Sequence, residues 1–467
     1  MKNASDLIRS DLTLHGLSNR KTYTSKEIDN ATNFLKQQIV KSLNGDTLNK
    51  LIYIDTNDFF IVVCGLKAAW SLGCAIFVND NNPRVRALPY FQEFYKQIHL
   101  TILPHTSSTS ITTLTKCISF GDYDSTKLYT ETENVEFDPD NTTAYAVTSS
   151  GTINDPRLIK HTHTQTLAVS NLLASYMNAD ESSRPFHFKT LHHSSLFVSF
   201  GLPLLSKCST HWYGDFNNDW NFTEFSEIQR MEWLLNTLKS YKLTHFLCPY
   251  NWIRHMVNIQ SIDFENLVTL LTINGNTDTE MIDLFKRFNP KQVINNFGCS
   301  EIGTMFLSKT TKDNVNNYNP NKFYDVAPYL DYEIFPDFIK VKHKTETQWL
   351  DLADRFTQEG KNIWFYGRSQ VFKNNNIEIS LSVLQQFLEK QYQTIEFNIV
   401  PDYKKEKLYL AIYDNSMPDL EVINFDIREH LSGDYVIDKI LNIEYLAVAH
   451  GMKVNNPLLL WKFRSMQ

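Results

Sequence analysis

The order of the apolar segments is the feature that most constrains how this 467-residue chain can fold. LIYIDT (51–56) precedes the mostly apolar NDFFIVVCGLKAAWSLG, and CAIFVND (74–80) follows it. This order predicts a strand, a buried helix and a strand, which favours a parallel sheet covered on both faces. The order recurs in LVTLLTING, TDTEMIDLFKRFN and QVINNFG, between 267 and 298. We therefore expect an α/β fold built on layered, parallel-rich sheets.

The pattern of the chain changes after about residue 305. DYEIFPDFIKVKH and NIWFYG predict antiparallel strands of a small β subdomain, and the polar TKDNVNNYNPNK separates them from the large sheet. After Gly367, helices at SLSVLQQFLEK and LEVINFDIREHL alternate with strands at TIEFNIV, KLYLAIYD and NIEYLAVA. We predict a large domain over 1–367 and a small α+β domain over 368–467.

Composition narrows the functional classes. The net charge is −7 and no Lys/Arg run is present, which argues against a nucleic-acid surface. Lys67 interrupts the longest apolar stretch, so that stretch predicts a buried helix rather than a membrane span. The six cysteines are scattered without a CxxC pair, as is typical of reduced thiols in a cytoplasm, and they argue against a zinc site.

A cluster of hydroxyl residues surrounds one glycine directly after an apolar run. Ser149, Ser150 and Thr152 flank Gly151, and Arg157 closes the segment. Such a loop can present backbone N–H groups and hydroxyls to phosphate oxygens, and the arginine can add a fixed charge. The alternative is a Ser/Thr-rich surface turn.

Two further segments carry polar groups at the ends of predicted strands. In NNFGCSEIGT, the aromatic Phe297 could stack on a purine, the hydroxyl of Ser300 could hold phosphate, and Glu301 could bind Mg²⁺. Further along, Asp354 could accept two ribose hydroxyls, and Arg368 follows fourteen residues later. The alternatives are an ordinary β-turn for the first segment and unrelated surface charges for the second.

In this order and at this spacing, the segments resemble the motifs of the acyl-adenylate-forming superfamily, which includes acyl-CoA synthetases, peptide-synthetase adenylation domains and luciferases. The stretch 149–157 resembles the family's Thr-Ser-Gly-Thr-Thr-Gly-x-Pro-Lys loop, with Thr162-His163 as its downstream Thr-His pair. The stretch 297–301 is similar to Tyr-Gly-x-Thr-Glu, and 349–354 is similar to Trp-x-x-Thr-Gly-Asp. The resemblance spans nearly the whole chain.

Two matches near the C-terminus complete the resemblance. Gly367-Arg368 is similar to the family's Gly-Arg at the domain hinge. HGMKVNNPLLL resembles the Asn-Gly-Lys-Val-Asp-Arg segment, which makes Lys453 the candidate catalytic lysine. The resemblance implies that the small domain is mobile and swings at Arg368–Gln370 between two steps.

The resemblance implies a two-step reaction. A carboxylic acid reacts with ATP in the presence of Mg²⁺ to give an acyl-adenylate and pyrophosphate, and a thiol of CoA or of a carrier protein's phosphopantetheine then takes the acyl group. Lys453, Ser300, Glu301 and His193 are the implied catalytic residues, with Glu301 as the Mg²⁺ ligand. The implied nucleotide-binding residues are Ser149, Ser150, Gly151, Thr152, Arg157, Gly275, Asn295, Phe297, Asp354 and Arg368.

The implied substrate follows from the segment TLHHSSLFVSFGLPLL (190–205). It resembles the Pro-Leu-x-His-x-x-Gly pattern of acyl- and aryl-CoA synthetases, with His193 at the histidine. No carboxylate lies there to pair with a substrate ammonium group, so we expect a fatty or aromatic acid. An amino-acid-activating enzyme that loads a carrier protein stays an alternative.

The sequence also departs from the family pattern. Asn154 replaces the loop's second glycine, Arg157 replaces its lysine, and Leu352-Ala353 replaces Thr-Gly in the ribose motif. The charged set Glu301, Asp354, Arg368 and Lys453 is intact, which favours an active enzyme. The second alternative is a non-catalytic homologue that acts as a binding protein.

Overall fold

The computed structural model describes two compact units, one within Met1–Ser149 and Arg157–Tyr329 and the other within Leu330–Gln467. The described residues are all those outside 1–2, 18, 57, 79–93, 105–115, 149–157, 188–196, 215–226, 250–255, 257–266, 268, 274–277, 369–370, 375–376, 393–396, 403–404, 413–418, 432–434, 443–458, 460–462 and 464–467.

The first unit contains sixteen strands and six α-helices among its described residues. The strands are β1 (Thr13–Gly16), β2 (Lys21–Tyr23), β3 (Leu51–Ile54), β4 (Ala75–Val78), β5 (Leu100–Leu103), β6 (Lys116–Ser119), β7 (Thr143–Thr148), β8 (Leu158–Thr162), β9 (Pro185–His187), β10 (Thr210–Tyr213), β11 (His245–Pro249), β12 (Thr269–Ile273), β13 (Gln292–Cys299), β14 (Gly303–Thr310), β15 (Lys322–Phe323) and β16 (Asp325–Val326). The helices are α1 (Ser25–Ser42), α2 (Phe59–Ser71), α3 (His163–Tyr176), α4 (Leu202–Lys207), α5 (Glu227–Ser240) and α6 (Asp278–Phe288). Short 3-10 helices lie at Ala4–Leu7, Phe120–Asp122 and Val315–Asn317, and a π-helix spans Phe197–Gly201.

Two sheets organise the first unit. The six-stranded sheet has the order β6-β5-β3-β4-β7-β8, and the nine-stranded sheet has the order β16-β14-β13-β12-β11-β9-β10-β1-β2. Strands within each sheet are parallel except at the ends, where β8, β2, β14 and β16 pair antiparallel with their neighbours. Helix α3 contacts β7 and β8 of the first sheet, and its Val169 lies against Gly303 of the second. Helix α3 therefore packs against both sheets.

Local sequence explains the element boundaries around this core. Thr24 begins α1 through a capping box with Glu27, and the Asp58 side chain accepts from the Phe60 N–H to begin α2. Nearly all of α2 is buried, as its continuous apolar sequence requires. Trp70 on this helix is fully buried, and its indole N–H donates to the Ala144 carbonyl of β7 at 2.8 Å. This bond ties the helix to the sheet that it covers.

The second unit is built from small sheets and two helices. Its elements are β17 (Leu330–Ile334), β18 (Ile339–His343), β19 (Leu350–Leu352), β20 (Asp354–Glu359), β21 (Asn362–Arg368), β22 (Val371–Asn374), β23 (Ile377–Ser380), α7 (Leu381–Gln391), β24 (Phe397–Asp402), β25 (Lys407–Ile412), α8 (Leu420–His430) and β26 (Lys439–Asn442). The strands β17, β18 and β19 form an antiparallel sheet, β20 pairs with β21, and β22 pairs with β23. The sheet β24-β25-β26 shares an apolar core with α7 and α8.

The predicted α/β class with parallel-rich sheets is confirmed. NIEYLAVA predicts a strand over 442–449, of which only Asn442 is described, as the last residue of β26; residues 443–449 lie outside the described residues, so this strand stays a prediction. β26 lies parallel to β25, with Lys439 opposite Tyr409. The domain boundary at 367/368 stays a prediction. No helix in the described part of the chain is long and apolar enough to cross a bilayer.

Candidate functional site

The predicted phosphate loop lies between two paired strands. β7 ends at Thr148, β8 begins at Leu158, and these two residues are opposite each other in the antiparallel register. The loop residues Ser149, Ser150, Gly151, Thr152 and Arg157 lie outside the described residues. Their predicted role in holding phosphates therefore stays a prediction.

A tight hairpin joins β13 to β14 at the second predicted motif. Cys299 lies opposite Gly303, so Ser300, Glu301 and Ile302 form the connection. Gly303 has φ +84°, a conformation that glycine adopts without steric cost. A Cβ on Gly298 would lie 2.1 Å from the Gly303 carbonyl oxygen, so only glycine fits there. The two glycines of the motif are explained by the hairpin geometry alone.

The polar residues of the motif lie at the tip of this hairpin. Ser300 and Glu301 are both partly exposed, whereas Ile302 beside them is buried. No group of three or more His, Cys, Asp or Glu side chains within the described residues could enclose a metal ion. A single carboxylate suits Mg²⁺ that arrives with a phosphate substrate, because Mg²⁺ takes one or two carboxylates and fills its other positions with phosphate oxygens and water. Glu301, as a single carboxylate, therefore fits a Mg²⁺ ion that binds together with substrate phosphates.

Asn295 has one unused hydrogen-bonding atom. Its side chain is 2 % exposed, and its Nδ2 donates to the Pro320 carbonyl at 2.9 Å. Its Oδ1 has no hydrogen-bond partner among the described residues, which is costly for a buried acceptor. The predicted place of Asn295 beside a purine stays a prediction.

The residues predicted to border adenine belong to two neighbouring strands or directly follow one: Asn295 and Phe297 lie on β13, and Gly275 follows β12 in the sequence. Thr272 of β12 lies opposite Asn295 of β13 in parallel register, so the carboxyl ends of both strands meet at one sheet edge. Gly275 comes two residues after the end of β12 but lies outside the described residues. Phe297 is 6 % exposed and packs against Phe306 and Phe323, with ring centroids 6.3 and 5.9 Å away. Its role beside a purine stays a prediction.

His161 connects the strand after the predicted phosphate loop to the hairpin. It lies on β8 and is 4 % exposed, and its Nε2 is 2.7 Å from the carbonyl oxygen of Ser300. Its ring stacks on Tyr145, its partner across the β7–β8 pair, with centroids 4.5 Å apart. Nothing in the sequence around His161 indicates this role, because its partner lies 139 residues further along the chain.

The Thr-His pair after the loop has a structural role. The Thr162 side chain caps α3 in a capping box with Gln165. His163 is fully buried, and its Nδ1 accepts a hydrogen bond from the Ala4 N–H at 2.9 Å. Burial lowers the pKa of His163 to about 4, so the ring is neutral at physiological pH. This histidine fixes the N-terminal segment to α3.

The two predicted ribose residues lie side by side in the second unit. Asp354 on β20 is directly opposite Arg368 on β21 in the antiparallel register, next to an irregularity of the pairing. Directly opposite residues have Cα atoms about 4.5–5.5 Å apart. Asp354 is 3 % exposed although it is a carboxylate, which is rare unless the group has partners.

The remaining predicted residues are not in the described part of the chain. Lys453 lies within 443–458, and His193 lies within 188–196. The next residues of the predicted substrate segment are described, and Phe197, Val198 and Phe200 are buried in the π-helix. Asn296 donates to the Ser199 hydroxyl at 3.2 Å, which links this segment to β13.

One cavity of about 310 Å³ lies apart from these residues. Its lining includes Leu51 and Ala75, the first residues of β3 and β4, together with Lys96, His99 and Lys160. None of the predicted site residues that the structure describes lines this cavity.

Solved structures with the same fold cover almost the whole chain. An anthranilate CoA ligase in complex with anthranoyl-AMP has a TM-score of 0.69 at 15 % identity, with 99 % of this chain and 97 % of that chain covered. The O-succinylbenzoate coenzyme A synthetase of Bacillus subtilis, in complex with ATP and magnesium ion, has a TM-score of 0.71 at 13 % identity, with 97 % of each chain covered. McyG A-PCP complexed with phenylalanyl-adenylate has a TM-score of 0.71 at 12 % identity, with 97 % of this chain and 92 % of that chain covered. No protein-family model and no curated protein matches the sequence.

Proposed function

We propose that this chain, whose fold is that of the acyl-adenylate-forming superfamily, uses ATP to activate a carboxylic acid as an acyl-adenylate and then passes the acyl group to a thiol. The three solved structures described above contain an acyl-adenylate or ATP, and the match to this chain covers at least 92 % of each of them. Proteins with one fold can catalyse different reactions, so the proposed reaction has to be supported by the residues of the site.

The observation that carries the proposal is the pairing of Asp354 with Arg368. The sequence motifs assign both residues to the ribose side of one nucleotide, and the strand register places them directly opposite each other. A buried carboxylate beside a guanidinium-bearing residue suits the two hydroxyls of a ribose, which a carboxylate accepts as charge-assisted hydrogen bonds.

The first step joins two anions. An oxygen of the carboxylate forms a bond to the α-phosphorus of ATP, the bond from that phosphorus to the bridging oxygen breaks, and pyrophosphate leaves. Hydroxyls and N–H groups of the loop at 149–157 and the cation of Lys453 would offset the repulsion. Mg²⁺ held at Glu301 would neutralise phosphate charge. Movement of the small domain at Arg368–Gln370 would then admit the thiol of CoA or of a carrier protein's phosphopantetheine.

The proposed acid is fatty or aromatic. The described part of the substrate segment, Phe197–Leu205, is buried and apolar apart from Ser199, whose hydroxyl accepts from Asn296. An ammonium group beside it would lack a carboxylate partner within this segment, and burying an unpaired charge is costly. A carrier-loading enzyme for an amino acid, and a binding protein without catalysis, are the competing functions.

A substrate panel tests the proposal. Fatty, aromatic and amino acids are each supplied with ATP and Mg²⁺, and pyrophosphate release is followed. CoA or a phosphopantetheinylated carrier protein is then added to identify the acceptor. Release with an aromatic or fatty acid supports the proposal, whereas release with amino acids alone supports the carrier-loading function. Absence of release with every acid, together with no rise in melting temperature on adding ATP, supports the binding protein and refutes the proposal.

The Lys453→Ala variant separates binding from chemistry. Because the proposed lysine acts on charge that develops in the first step, we expect the variant to lose adenylation and keep ATP binding. Lys407→Ala, which changes an exposed lysine of the second unit, is the control. A wild-type rate of adenylation in Lys453→Ala would remove the lysine from the mechanism.

The Asp354→Asn variant tests the ribose contact. Hydrogen bonds to a charged group contribute about 1.5–3 kcal/mol, so we expect ATP to bind roughly 10- to 150-fold more weakly. Asp351→Asn changes an exposed carboxylate close by and should leave affinity unchanged. Calorimetric titration measures both, and equal affinities in the two variants would contradict the assignment.

A further inference from the structure

We infer that His161 is a positioning residue for the hairpin tip that carries Ser300 and Glu301. The inference rests on the proposed function, because it assigns a purpose to a contact within that site. His161 is on β8 of one sheet, and its Nε2 reaches the Ser300 carbonyl of the other sheet at 2.7 Å. The contact is thus a direct bond between the strand that leaves the predicted phosphate loop and the tip that carries the predicted Mg²⁺ ligand.

The chemistry of the contact fixes the position of one proton. A carbonyl oxygen only accepts hydrogen bonds, so the Nε2 of His161 must carry hydrogen and donate. The ring cannot turn freely, because it is 4 % exposed and stacks on Tyr145 with an interplanar angle of 17°. The donor is therefore held in one place by the six-stranded sheet.

The accepting carbonyl belongs to the peptide group between Ser300 and Glu301. A peptide group is planar and trans, so its C=O and N–H point in opposite directions. When His161 holds the Ser300 oxygen, it also fixes the direction of the Glu301 N–H and the starting geometry of both side chains. Gly298 and Gly303 carry no side chains that could hold the tip, and the strands approach too closely at Gly298 for a Cβ.

A small displacement of the hairpin tip would affect the rate of adenylation. A misplacement of about 1 Å can lower a rate about 10²-fold. Loss of the donor should therefore reduce the rate of adenylation more than it weakens binding of ATP. A merely structural contact would instead lower the melting temperature and leave the rate per folded molecule unchanged.

Three variants separate these outcomes. His161→Phe keeps a ring to stack on Tyr145 and removes the donor, whereas His161→Gln keeps an N–H donor on a flexible side chain. His163→Phe changes the adjacent buried histidine, which bonds to Ala4 rather than to the hairpin. The measurements are kcat and KM of pyrophosphate release, the melting temperature, and hydrogen exchange of the peptide that covers 298–304.

The expected result is a fall in kcat of roughly 10- to 100-fold in His161→Phe, with a smaller change in KM and partial recovery in His161→Gln. Hydrogen exchange at 298–304 should accelerate in His161→Phe but not in His163→Phe. If the wild type is active and His161→Phe keeps its kcat, the inference is wrong. If the wild type releases no pyrophosphate with any acid, the proposed function fails. Hydrogen exchange then decides alone whether His161 holds the hairpin, and unchanged exchange at 298–304 in His161→Phe overturns the inference.

Discussion

Acidification is expected to destabilise the first unit, because four of its histidines are buried as neutral groups. These are His163, His187, His211 and His245, each at most 4 % exposed. Burial lowers the pKa to about 4 for His163 and His245 and to about 3 for His211, and it lowers the pKa of His187 well below its ordinary value. In the unfolded chain the same rings titrate near pH 6.5.

The magnitude follows from linkage between protonation and folding. Above about pH 6.5 neither state binds a proton at these rings, and the native state has its full stability. As the pH falls from about 6.5 towards 4, only the unfolded state binds protons, so the free energy of unfolding decreases. Between about pH 7.5 and 5.5, each ring lowers the free energy of unfolding by about 1.3 kcal/mol, and the four rings together lower it by about 5 kcal/mol.

Denaturant unfolding at these two pH values measures the loss. Tryptophan fluorescence is a suitable signal, because Trp70 is fully buried with its ring centroid 6.5 Å from that of His163. The His163→Phe variant should reduce the pH-dependent loss by about a quarter, and His430→Gln, at an exposed histidine, should leave it unchanged. A free energy of unfolding that differs by less than about 1 kcal/mol between the two pH values would refute the reasoning.

Two predictions concern local geometry. Gly298→Ala places a Cβ 2.1 Å from the Gly303 carbonyl oxygen, so we expect it to lower the free energy of unfolding, measured by thermal unfolding, by about 1–3 kcal/mol. The control Gly214→Ala, whose Cβ would meet no described atom closer than 3.6 Å, should lower it by less than about 1 kcal/mol. Equal losses of stability in the two variants would contradict the close approach at Gly298. Thr162→Ala removes the hydroxyl that caps α3 with Gln165 and should cost about 1 kcal/mol, measured by denaturant unfolding, and an unchanged stability would show that the cap is not used.

The sequence predicts the strand–helix–strand units well, because each element is indicated by a continuous apolar run of neighbouring residues. The strands predicted at 51–56 and 74–80 are found at Leu51–Ile54 and Ala75–Val78, and the apolar helix predicted between them is found at Phe59–Ser71. Burial on both faces leaves no polar alternation in such strands. The resemblance to the acyl-adenylate-forming superfamily is confirmed at the level of the fold.

The site could be predicted only in part. The sequence indicates which residue types belong to the motif at 297–301, but not that the Gly303 carbonyl leaves no room for a Cβ on Gly298 or that Ile302 is buried beside two partly exposed residues. The bond from His161 to Ser300 joins two sheets across 139 residues, and no periodicity or spacing encodes such a contact. Side-chain partners across sheets depend on tertiary packing, which a single sequence does not display.

The most direct test of the central claim is the fate of the carboxylate oxygens. The protein is supplied with ATP, Mg²⁺, the thiol and an acid in which both carboxylate oxygens are ¹⁸O, and the AMP that forms is examined by mass spectrometry. Attack of the carboxylate on the α-phosphorus predicts that each AMP contains one ¹⁸O atom, since the bond formed in the first step stays with the phosphorus when the thiol takes the acyl group. AMP without ¹⁸O would mean that no carboxylate oxygen had bonded to the α-phosphorus, and it would contradict the activation of the acid as an adenylate.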